Sequence, residues 1–287
     1  MNTFKRRCIE LRKQDYTLPE IVRITKRPKT SVHFHIQNLR LSDKKLRLIR
    51  ESNAARAREL ARKKRGVSAR LFKKFTEWDK ELVCLVSHMV FDGEIKRAGC
   101  IYNNRSMALL DRVEHCMKKI YGMEPKRYVN KLTGVARISY FNVSLGEYIK
   151  RKAIQLLQEI PTLPMQLKRE FLVSFFDDEG CIDYRPDRNH RRIRGYQKEV
   201  SMLRIIRRLL RDFDIESRIQ LPNEIVIAHK ENLLKFQREI NFSSGVRING
   251  NRPNSIWGKS FEKRHLLSRA ISSYKPVGSN GVHRNRI

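Results

Sequence analysis

Two acidic residues in this sequence each stand directly before a glycine, at the end of an apolar segment. They are Asp92, which precedes Gly93, and Glu179, which precedes Gly180. The apolar residues before them predict helices, so each carboxylate is expected near a helix C-terminus. A carboxylate there faces the negative end of the helix dipole, which is unfavourable unless a cation shares the site. The position of the two acids therefore indicates a shared cation.

The segments around the two acids are copies of one pattern. The first reads LVSHMVFDG over 85–93 and the second reads LVSFFDDEG over 172–180, so the two copies lie 87 residues apart. Both have a serine at the third position, Ser87 and Ser174. Because residue types and spacing agree, the chain is expected to contain an internal repeat.

The same order of elements follows each copy. Strand-like segments come first, then an amphipathic helix, two short strands and a closing helix, which predicts the order αββαββα twice. The predicted repeats span 80–160 and 161–254. The amphipathic helices, aligned at Val113 and Ile206, lie 93 residues apart, so the second copy has gained six residues between its motif and that helix.

These paired segments resemble the LAGLIDADG motif of homing endonucleases, in the single-chain form with two repeats. The resemblance covers residues 80–250. It implies an α+β fold in which two pseudo-symmetric αββαββα repeats form a DNA-binding saddle, preceded by an all-α helix-turn-helix and a basic helical linker. It also implies that the two motif helices pack side by side, with Ser87 and Ser174 at their contact.

The resemblance assigns roles to the two acids. In the family these carboxylates lie together at the floor of the DNA groove. Asp92 and Glu179 are therefore expected to be catalytic and to bind Mg²⁺ or Mn²⁺, which would neutralise charge on phosphate and activate water. The first copy departs from the family pattern at Val90, where the second copy has Asp177. The alternative is that both acids are polar helix ends without a catalytic role.

Four other motif residues have expected roles. Gly93 and Gly180 are suited to the left-handed cap of a helix. His88 lies in the middle of an apolar run and is expected to be buried or at an interface. Asp178 is expected to be solvated.

The resemblance also implies a DNA-binding surface. In the family, hairpins after each motif follow the major groove, with alternate side chains facing the bases. The second copy has a basic segment, Asp183 to Lys198, in which Arg191 and Arg192 would face opposite sides of a strand; the alternative is a disordered basic loop. The residues expected to contact DNA are Lys96, Arg97, Tyr102, Asn103, Lys131, Arg137, Arg185, Arg188, Arg191, Arg192, Arg194, Lys198 and Arg218.

Residues 1–42 are predicted to form three short helices, with Thr17 as the N-cap of the second. A tight turn at Lys26, Arg27 and Pro28 followed by a polar-faced helix is typical of a helix-turn-helix, although this turn has no glycine. The alternative is a plain three-helix packing module. The third-helix residues expected to contact DNA are Lys29, Thr30, Ser31, His33, His35 and Gln37.

Two basic segments flank the repeats. Residues 43–79 are predicted to form a basic helical linker, which lies across DNA or, alternatively, is only solvated. Residues 255–287 are predicted to be a basic, partly disordered extension with one short helix from Phe261 to Ser272.

The composition agrees with a nucleic-acid partner. The 287 residues include 62 Lys and Arg against 30 Asp and Glu, a net charge of +32, which favours binding to a polyanion through counterion release. A hydrophobic content of 40% excludes a disordered polycation but not a ribosome-bound or merely soluble basic protein. The five scattered cysteines have neither zinc nor disulfide spacing. No signal peptide or membrane span is expected, which predicts a cytoplasmic, nucleoid-associated protein.

The leading hypothesis is a site-specific, metal-dependent DNA endonuclease of the homing type. It would be a monomer with internal pseudo-two-fold symmetry, whose helix-turn-helix extends its contact with double-stranded DNA. The alternatives are a non-cleaving DNA-binding transcriptional regulator and an RNA-binding maturase that assists splicing.

Overall fold

The computed structural model describes residues 3–68, 77–248, 250 and 257–274. The chain divides into two units, Met1–Ala69 and Arg70–Ile287. The last part of the predicted linker, residues 69–76, and the predicted C-terminal tail, residues 275–287, lie outside the described residues. Within the described residues, no helix combines the length and apolarity needed to cross a membrane.

The described part of the first unit, residues 3–68, forms four helices. Their bounds are Thr3–Lys13 (α1), Leu18–Thr25 (α2), Lys29–Ile36 (α3) and Asp43–Ser68 (α4). The first three helices share a small core made of Cys8, Leu11, Ile21, Val32 and Ile36. The predicted group of three short helices is therefore confirmed.

The connections of this unit show why its short helices end where they do. Thr17 precedes α2, and the Glu20 carboxylate accepts a hydrogen bond from the Thr17 N–H at 2.6 Å, as in a capping box. Lys26, after α2, adopts the left-handed conformation (φ 52°) that glycine more often supplies. Asp15 accepts a hydrogen bond from the Ser42 N–H at 2.7 Å, which ties the start of α4 to the three-helix module.

The long basic helix predicted for the linker is confirmed as α4, a helix of 26 residues. Its described side chains, over 43–61, are exposed or half-buried. This is the outcome expected for a segment with high helix propensity and little apolar surface.

The second unit contains the order αββαββα twice, as predicted. The first copy comprises Lys80–Phe91 (α5), Gly93–Lys96 (β1), Gly99–Asn104 (β2), Met107–Tyr121 (α6), Lys126–Val129 (β3), Ala136–Tyr140 (β4) and Val143–Glu159 (α7). The second comprises Met165–Glu179 (α8), Gly180–Arg185 (β5), His190–Tyr196 (β6), Val200–Asp212 (α9), Arg218–Gln220 (β7), Glu224–Ile227 (β8) and Lys230–Glu239 (α10). A further helix, Lys263–Ser272 (α11), follows.

Each copy forms a four-stranded antiparallel sheet with the same strand order, β1-β2-β4-β3 in the first and β5-β6-β8-β7 in the second. The pairing of Gly93 with Tyr102 corresponds to that of Gly180 with Gly195. In the second copy the hairpin strands are longer, and the short turn Pro186–Arg188 connects them. The basic segment is thus a β-hairpin and not a disordered loop.

The two motif helices, α5 and α8, pack against each other. The Phe91 ring meets the rings of Phe171 and Phe175 edge-on, at centroid distances of 5.3 and 5.2 Å. Ser87 and Ser174 are fully buried. Ser174 shares a helix face with Phe171, from which it is separated by three residues along the helix. The predicted helix pair is therefore present, with both small residues inside the core.

Gly93 and Gly180 are not left-handed helix caps, so that prediction is wrong. Gly180 is extended (φ −87°, ψ 148°), and Gly93 is not among the glycines with positive φ. Steric crowding against the preceding helical turn explains the two glycines instead. A Cβ atom on Gly93 would lie 2.5 Å from the Met89 Cα atom, and one on Gly180 would lie 2.3 Å from the Phe176 carbonyl oxygen. The chain turns so sharply from helix to strand that only glycine fits.

The folded part of the second repeat extends past residue 254, where its end was predicted. Helix α11 packs on β5, β6 and α10. Its apolar side chains join the core of the second unit, namely Leu266, Leu267, Ala270 and Ile271. This part of the expected extension therefore belongs to the repeat.

Candidate active site

The two helix-end acids lie close enough to influence each other. Asp92 caps the C-terminus of α5 and Glu179 is the last residue of α8. Burial, and next the neighbouring Asp92 carboxylate, raise the pKa of Glu179 from 4.5 to about 7. Burial and the Asp178 carboxylate raise the pKa of Asp92 from 3.8 to about 6. Both shifts arise first from burial of the carboxylate and next from a neighbouring carboxylate, and a cation bound between the acids would oppose both effects.

A network of part-buried hydrogen bonds leads away from Asp92. Its Oδ2 atom accepts a hydrogen bond from Asn104 Nδ2 at 2.9 Å, and Asn104 Nδ2 also lies 3.3 Å from the Tyr102 hydroxyl oxygen. The Tyr102 hydroxyl donates to Asp178 Oδ1 at 2.5 Å, and Asp178 Oδ2 lies 2.8 Å from His88 Nδ1. Burial alone would lower the pKa of His88, but Asp178 raises it above its usual value. These hydrogen bonds therefore connect the imidazolium–carboxylate pair of His88 and Asp178 to Asp92.

This network is not repeated by the pseudo-symmetry. The motif alignment puts Phe175 where the first copy has His88, and the strand pairing puts Gly195 where the first copy has Tyr102. A Cβ atom on Gly195 would lie 2.5 Å from the Phe175 ring. A phenyl ring and a glycine thus replace the histidine and the tyrosine, so the surroundings of Asp92 differ chemically from those of Glu179.

Lys263, from α11, adds a buried positive charge. Its Nζ atom donates to the carbonyl oxygens of Asp177 at 2.7 Å and Phe176 at 3.2 Å. A cation in the last turn of α8 faces the negative end of the helix dipole. Burial lowers the pKa of Lys263, and its charge opposes the rise in the pKa of Asp92 and of Glu179.

Asp177, which stands at the second acidic position of the family pattern, is directed elsewhere. It is buried, and its Oδ1 atom accepts a hydrogen bond from the Ser243 N–H at 2.9 Å. Arg112 Nη1 lies 3.8 Å from its other oxygen. These contacts give Asp177 a structural task, so its replacement by Val90 in the first repeat removes no member of the acid pair.

Three members of this site were not predicted from the sequence. Asp178 was expected to be solvated, which is wrong, because its side chain is fully buried. The missed signal is its spacing of three and seven residues from Phe175 and Phe171, which places it on the buried helix face. Asn104 and Lys263 have no such signal. His88 is confirmed as a buried histidine.

The acid pair suits a divalent cation that is coordinated by both the protein and a substrate. Carboxylate oxygens are donors that Mg²⁺ and Mn²⁺ prefer. Within the described ranges, no group of three or more His, Cys, Asp or Glu could hold a metal ion. Mg²⁺ usually keeps several waters and binds one or two carboxylates together with substrate phosphates. Asp92 and Glu179 therefore suit an ion whose coordination phosphate and water complete, not an all-protein cage.

The outer face of the second sheet brings together several predicted DNA contacts. The pairing register places Asp183 opposite Arg192, and it places Val226 opposite both Arg194 and Arg218. Because side chains alternate along a strand, these residues share one face. The predicted DNA contacts on this face are Arg185, Arg192, Arg194 and Arg218.

Two predicted DNA contacts point the other way. Arg191 Nε donates to Ser273 Oγ at 2.7 Å, and the Arg191 guanidinium lies 5.0 Å from the centroid of the Tyr274 ring. Tyr102 is fully buried. Both predictions are wrong because these side chains occupy the core-facing positions of their strands. The expected alternation between Arg191 and Arg192 is confirmed.

The outer face of the first sheet has fewer arginines than that of the second. Arg137 Nε donates to Asn103 Oδ1 at 2.7 Å, and Asn103 Nδ2 donates to Glu94 Oε1 at 3.2 Å. Lys96 forms an ion pair with the same Glu94. The remaining predicted contacts, in turns and connections and all exposed, are Arg97, Lys131, Arg188 and Lys198.

The predicted recognition residues of the first unit lie on α3 and directly after it. Lys29, Thr30, His33 and Gln37 are exposed, whereas Ser31 and His35 are half-buried. The His35 ring lies 5.4 Å from the ring centroids of both Phe4 and Phe34. Phe34 is 69% exposed and was not predicted as a contact from the sequence. An exposed aromatic ring among polar side chains suits contact with a base or its methyl group.

Comparison with known proteins agrees with this fold. Residues 166–241 match the family model of the LAGLIDADG-like domain. That segment contains nearly all of α8, the second sheet and α10. The resemblance read from the two motifs is thereby confirmed for the second repeat, and the first repeat has the same order of elements and strands. The second unit has a LAGLIDADG-like fold.

Solved structures include several that are similar to this chain. One is of mesophilic variants of the homing endonuclease I-DmoI, at 16% identity over 57% of this chain and 91% of that chain, with a TM-score of 0.45. I-DmoI in complex with DNA and Ca has 16% identity over 57% and 91%, with a TM-score of 0.43. The N-terminal LAGLIDADG domain of DUF199/WhiA has 19% identity over 57% and 82%, with a TM-score of 0.43. A comparison with curated protein sequences finds no match.

Proposed function

We propose that this chain binds double-stranded DNA along the outer faces of its two sheets and cleaves it with Asp92, Glu179 and a divalent metal ion. The observation that carries the proposal is the acid pair, in which one carboxylate from each repeat has a raised pKa in a partly buried place. The arginines of the second sheet support DNA as the substrate, since guanidinium groups suit both phosphates and base edges. The α3 helix would extend the contact as part of a helix-turn-helix.

The residues of the site would divide the work of phosphodiester hydrolysis. When bound, Mg²⁺ or Mn²⁺ stabilises charge on the phosphate and lowers the pKa of a water molecule. Asp92 and Glu179 would hold the ion against the DNA backbone. Asn104 would keep Asp92 in one orientation through its 2.9 Å hydrogen bond. Lys263 would limit the repulsion between the two acids, because its charge lowers the pKa of each.

Substitution of the acids tests the proposal. Asp92→Asn and Glu179→Gln keep size and hydrogen bonding but remove the charge that holds the ion. Each should slow strand scission by at least about 100-fold, because metal stabilisation is worth several kcal/mol and 1.36 kcal/mol is a factor of ten. Binding of the duplex should stay unchanged or become tighter, since negative charge facing phosphate is removed.

A matched control is Glu124→Gln, which removes an exposed acid that lies 2.6 Å from Lys118 and should leave scission unchanged. Equal scission by wild type, Asp92→Asn and Glu179→Gln would show that the acid pair does not carry the reaction.

The second candidate is a DNA-binding regulator that does not cleave, and Lys263 is the observation that favours it. Its buried ammonium group already opposes the negative charge of Asp92 and Glu179, and so supplies part of the charge that a metal ion would bring. A regulator would bind one duplex sequence tightly and leave both strands intact in Mg²⁺ and in Mn²⁺.

A further inference from the structure

We infer that the second sheet reads guanine bases through Arg192 and Arg194, and that the DNA target therefore has guanines on the half that this sheet covers. The inference rests on the proposed DNA binding and adds to it the identity of the bases. It depends on two acidic residues, Asp183 and Glu224, that lie beneath the arginines of the outer face.

Asp183 is the centre of this arrangement. Its side chain is only 7% exposed, and its Oδ2 atom lies 2.8 Å from Arg192 Nε and 2.7 Å from Arg192 Nη2. Its Oδ1 atom lies 3.2 Å from Arg185 Nε. The two arginine side chains remain 25% and 38% exposed. The carboxylate thus lies below and the guanidinium groups lie above it, toward the solvent side of the sheet.

Arg194 is held in the same way by a different acid. Its Nε atom donates to Glu224 Oε2 at 3.1 Å, and its Nη2 atom pairs with Glu224 Oε1. In both arginines a carboxylate therefore occupies the side of the guanidinium that carries Nε and Nη2. In Arg192 the end of the group, with Nη1 and the second hydrogen of Nη2, is left for another acceptor pair. In Arg194 the Nη1 atom lies 3.9 Å from Asp183 Oδ2, which is beyond hydrogen-bond distance, so its N–H groups can still be donated to a base.

Guanine presents the acceptor pair that matches this end. In the major groove its O6 and N7 atoms accept two parallel N–H groups, and this bidentate contact is the commonest specific one between arginine and a base. Adenine offers one acceptor and one donor there, so the second N–H group of the arginine would face a donor. Because carboxylates already orient these side chains, less conformational freedom is lost when they bind.

The first sheet lacks this arrangement. On the outer face of its described strands, Arg137 is the one arginine, and the neutral amide of Asn103 holds its Nε at 2.7 Å. The base preference should therefore be asymmetric, with clustered guanines in one half of the target.

Selection of duplexes from a randomised library by the full-length protein tests the inference. The selection is made in EDTA, so that it measures binding and does not need cleavage. The expected sites have guanines clustered on one side of their centre.

Arg192→Lys keeps the charge but removes the planar guanidinium group that can donate two parallel hydrogen bonds. It should reduce discrimination for guanine at one position by about 5- to 150-fold, which corresponds to about 1–3 kcal/mol. Replacing that guanine with 7-deazaguanine, which lacks N7, should weaken binding by wild type and have little effect on the variant.

Asp183→Asn tests whether the Asp183 carboxylate orients the arginines for base recognition. It should reduce discrimination for guanine without weakening binding to random duplex, because it removes a negative charge from the DNA-facing side. Asp187→Asn is the matched control, since Asp187 is 70% exposed in the turn of the same hairpin and lies 3.8 Å from Arg188; it should leave discrimination unchanged.

Two results would overturn the inference while DNA binding stands. One is a set of selected sites without clustered guanines, and the other is a guanine preference that survives both Arg192→Lys and Asp183→Asn. A wild-type protein that binds no duplex would overturn the proposed function and, with it, this inference.

Discussion

At the level of single residues, the acid pair predicts how the stability of the second unit changes with pH. Folding raises the pKa of Asp92 from 3.8 to about 6 and that of Glu179 from 4.5 to about 7. The folded state thus holds these protons more tightly than the unfolded state. This contribution to stability is complete below the unfolded pKa values and is lost as pH rises through the folded ones.

The double variant Asp92→Asn, Glu179→Gln should therefore raise the Tm of this unit more at pH 8 than at pH 4, as measured by thermal unfolding. Mg²⁺ should raise the Tm of wild type at pH 8 but not that of the double variant. An equal shift of Tm at both pH values would contradict the raised pKa values.

The hydrogen-bond network predicts a second effect. Tyr102→Phe removes the hydroxyl that donates to the buried Asp178 at 2.5 Å, and should lower the free energy of unfolding by about 1.5–3 kcal/mol, the range for hydrogen bonds to charged groups. Tyr140→Phe is a matched control, because the buried Tyr140 hydroxyl has no hydrogen-bond partner among the described residues. Urea denaturation of both variants measures the difference, and equal losses would show that the bond to Asp178 contributes little.

The residues of the site differ in how far the sequence predicts them. Asp92 and Glu179 could be found because each is the acid directly before the glycine in one copy of the repeated motif. Asp178 could have been found from helical spacing alone. Lys263 could not, because it meets Asp177 from 86 positions away along the chain, and no spacing rule relates a late helix to the end of a motif helix.

At the level of elements, the packing of α5 against α8 makes a prediction about Ser174. This residue is fully buried, and its hydroxyl donates to the Glu170 carbonyl oxygen of its own helix at 3.0 Å. Ser174→Leu should overpack the helix pair and lower the free energy of unfolding by about 1–3 kcal/mol. Ser174→Ala should cost less than about 1.5 kcal/mol, because only one local hydrogen bond is lost. Denaturation that shows equal tolerance of leucine and alanine would contradict close approach of the helices at this position.

The order of helices and strands was predictable because the apolar residues of each repeat recur with a period of 3.6 residues in its helices and 2 residues in its strands. The conformation of Gly93 and Gly180 was not, because it depends on how closely each strand passes the preceding helical turn. The helix in the C-terminal extension was expected, but its place in the core was not, since burial depends on surfaces that β5, β6 and α10 supply.

At the level of the whole molecule, the net charge of +32 predicts steep salt dependence. The logarithm of the affinity for the preferred duplex should fall with the logarithm of salt concentration by about 0.9 per phosphate neutralised. A slope of about −4 or steeper is expected from titrations at several salt concentrations, and a shallower slope would mean that few of the basic residues meet phosphate.

Deletion of residues 1–69 should reduce both slope and affinity while the second unit stays folded, because that unit has its own core. Circular dichroism of the truncated chain checks the fold, and an unfolded product would show that the second unit depends on the first.

Strand scission by the full-length protein tests the proposed cleavage most directly. Supercoiled plasmids that carry a library of duplex sites are incubated with wild type in Mg²⁺, in Mn²⁺ or in EDTA. With either ion, plasmids that contain the target should become linear, and EDTA should prevent the change. Asp92→Asn or Glu179→Gln should leave the same plasmids supercoiled or at most nicked, because each acid helps to hold the ion. Tight, specific binding with plasmids that stay supercoiled in both metal ions would contradict metal-dependent cleavage and favour the regulator.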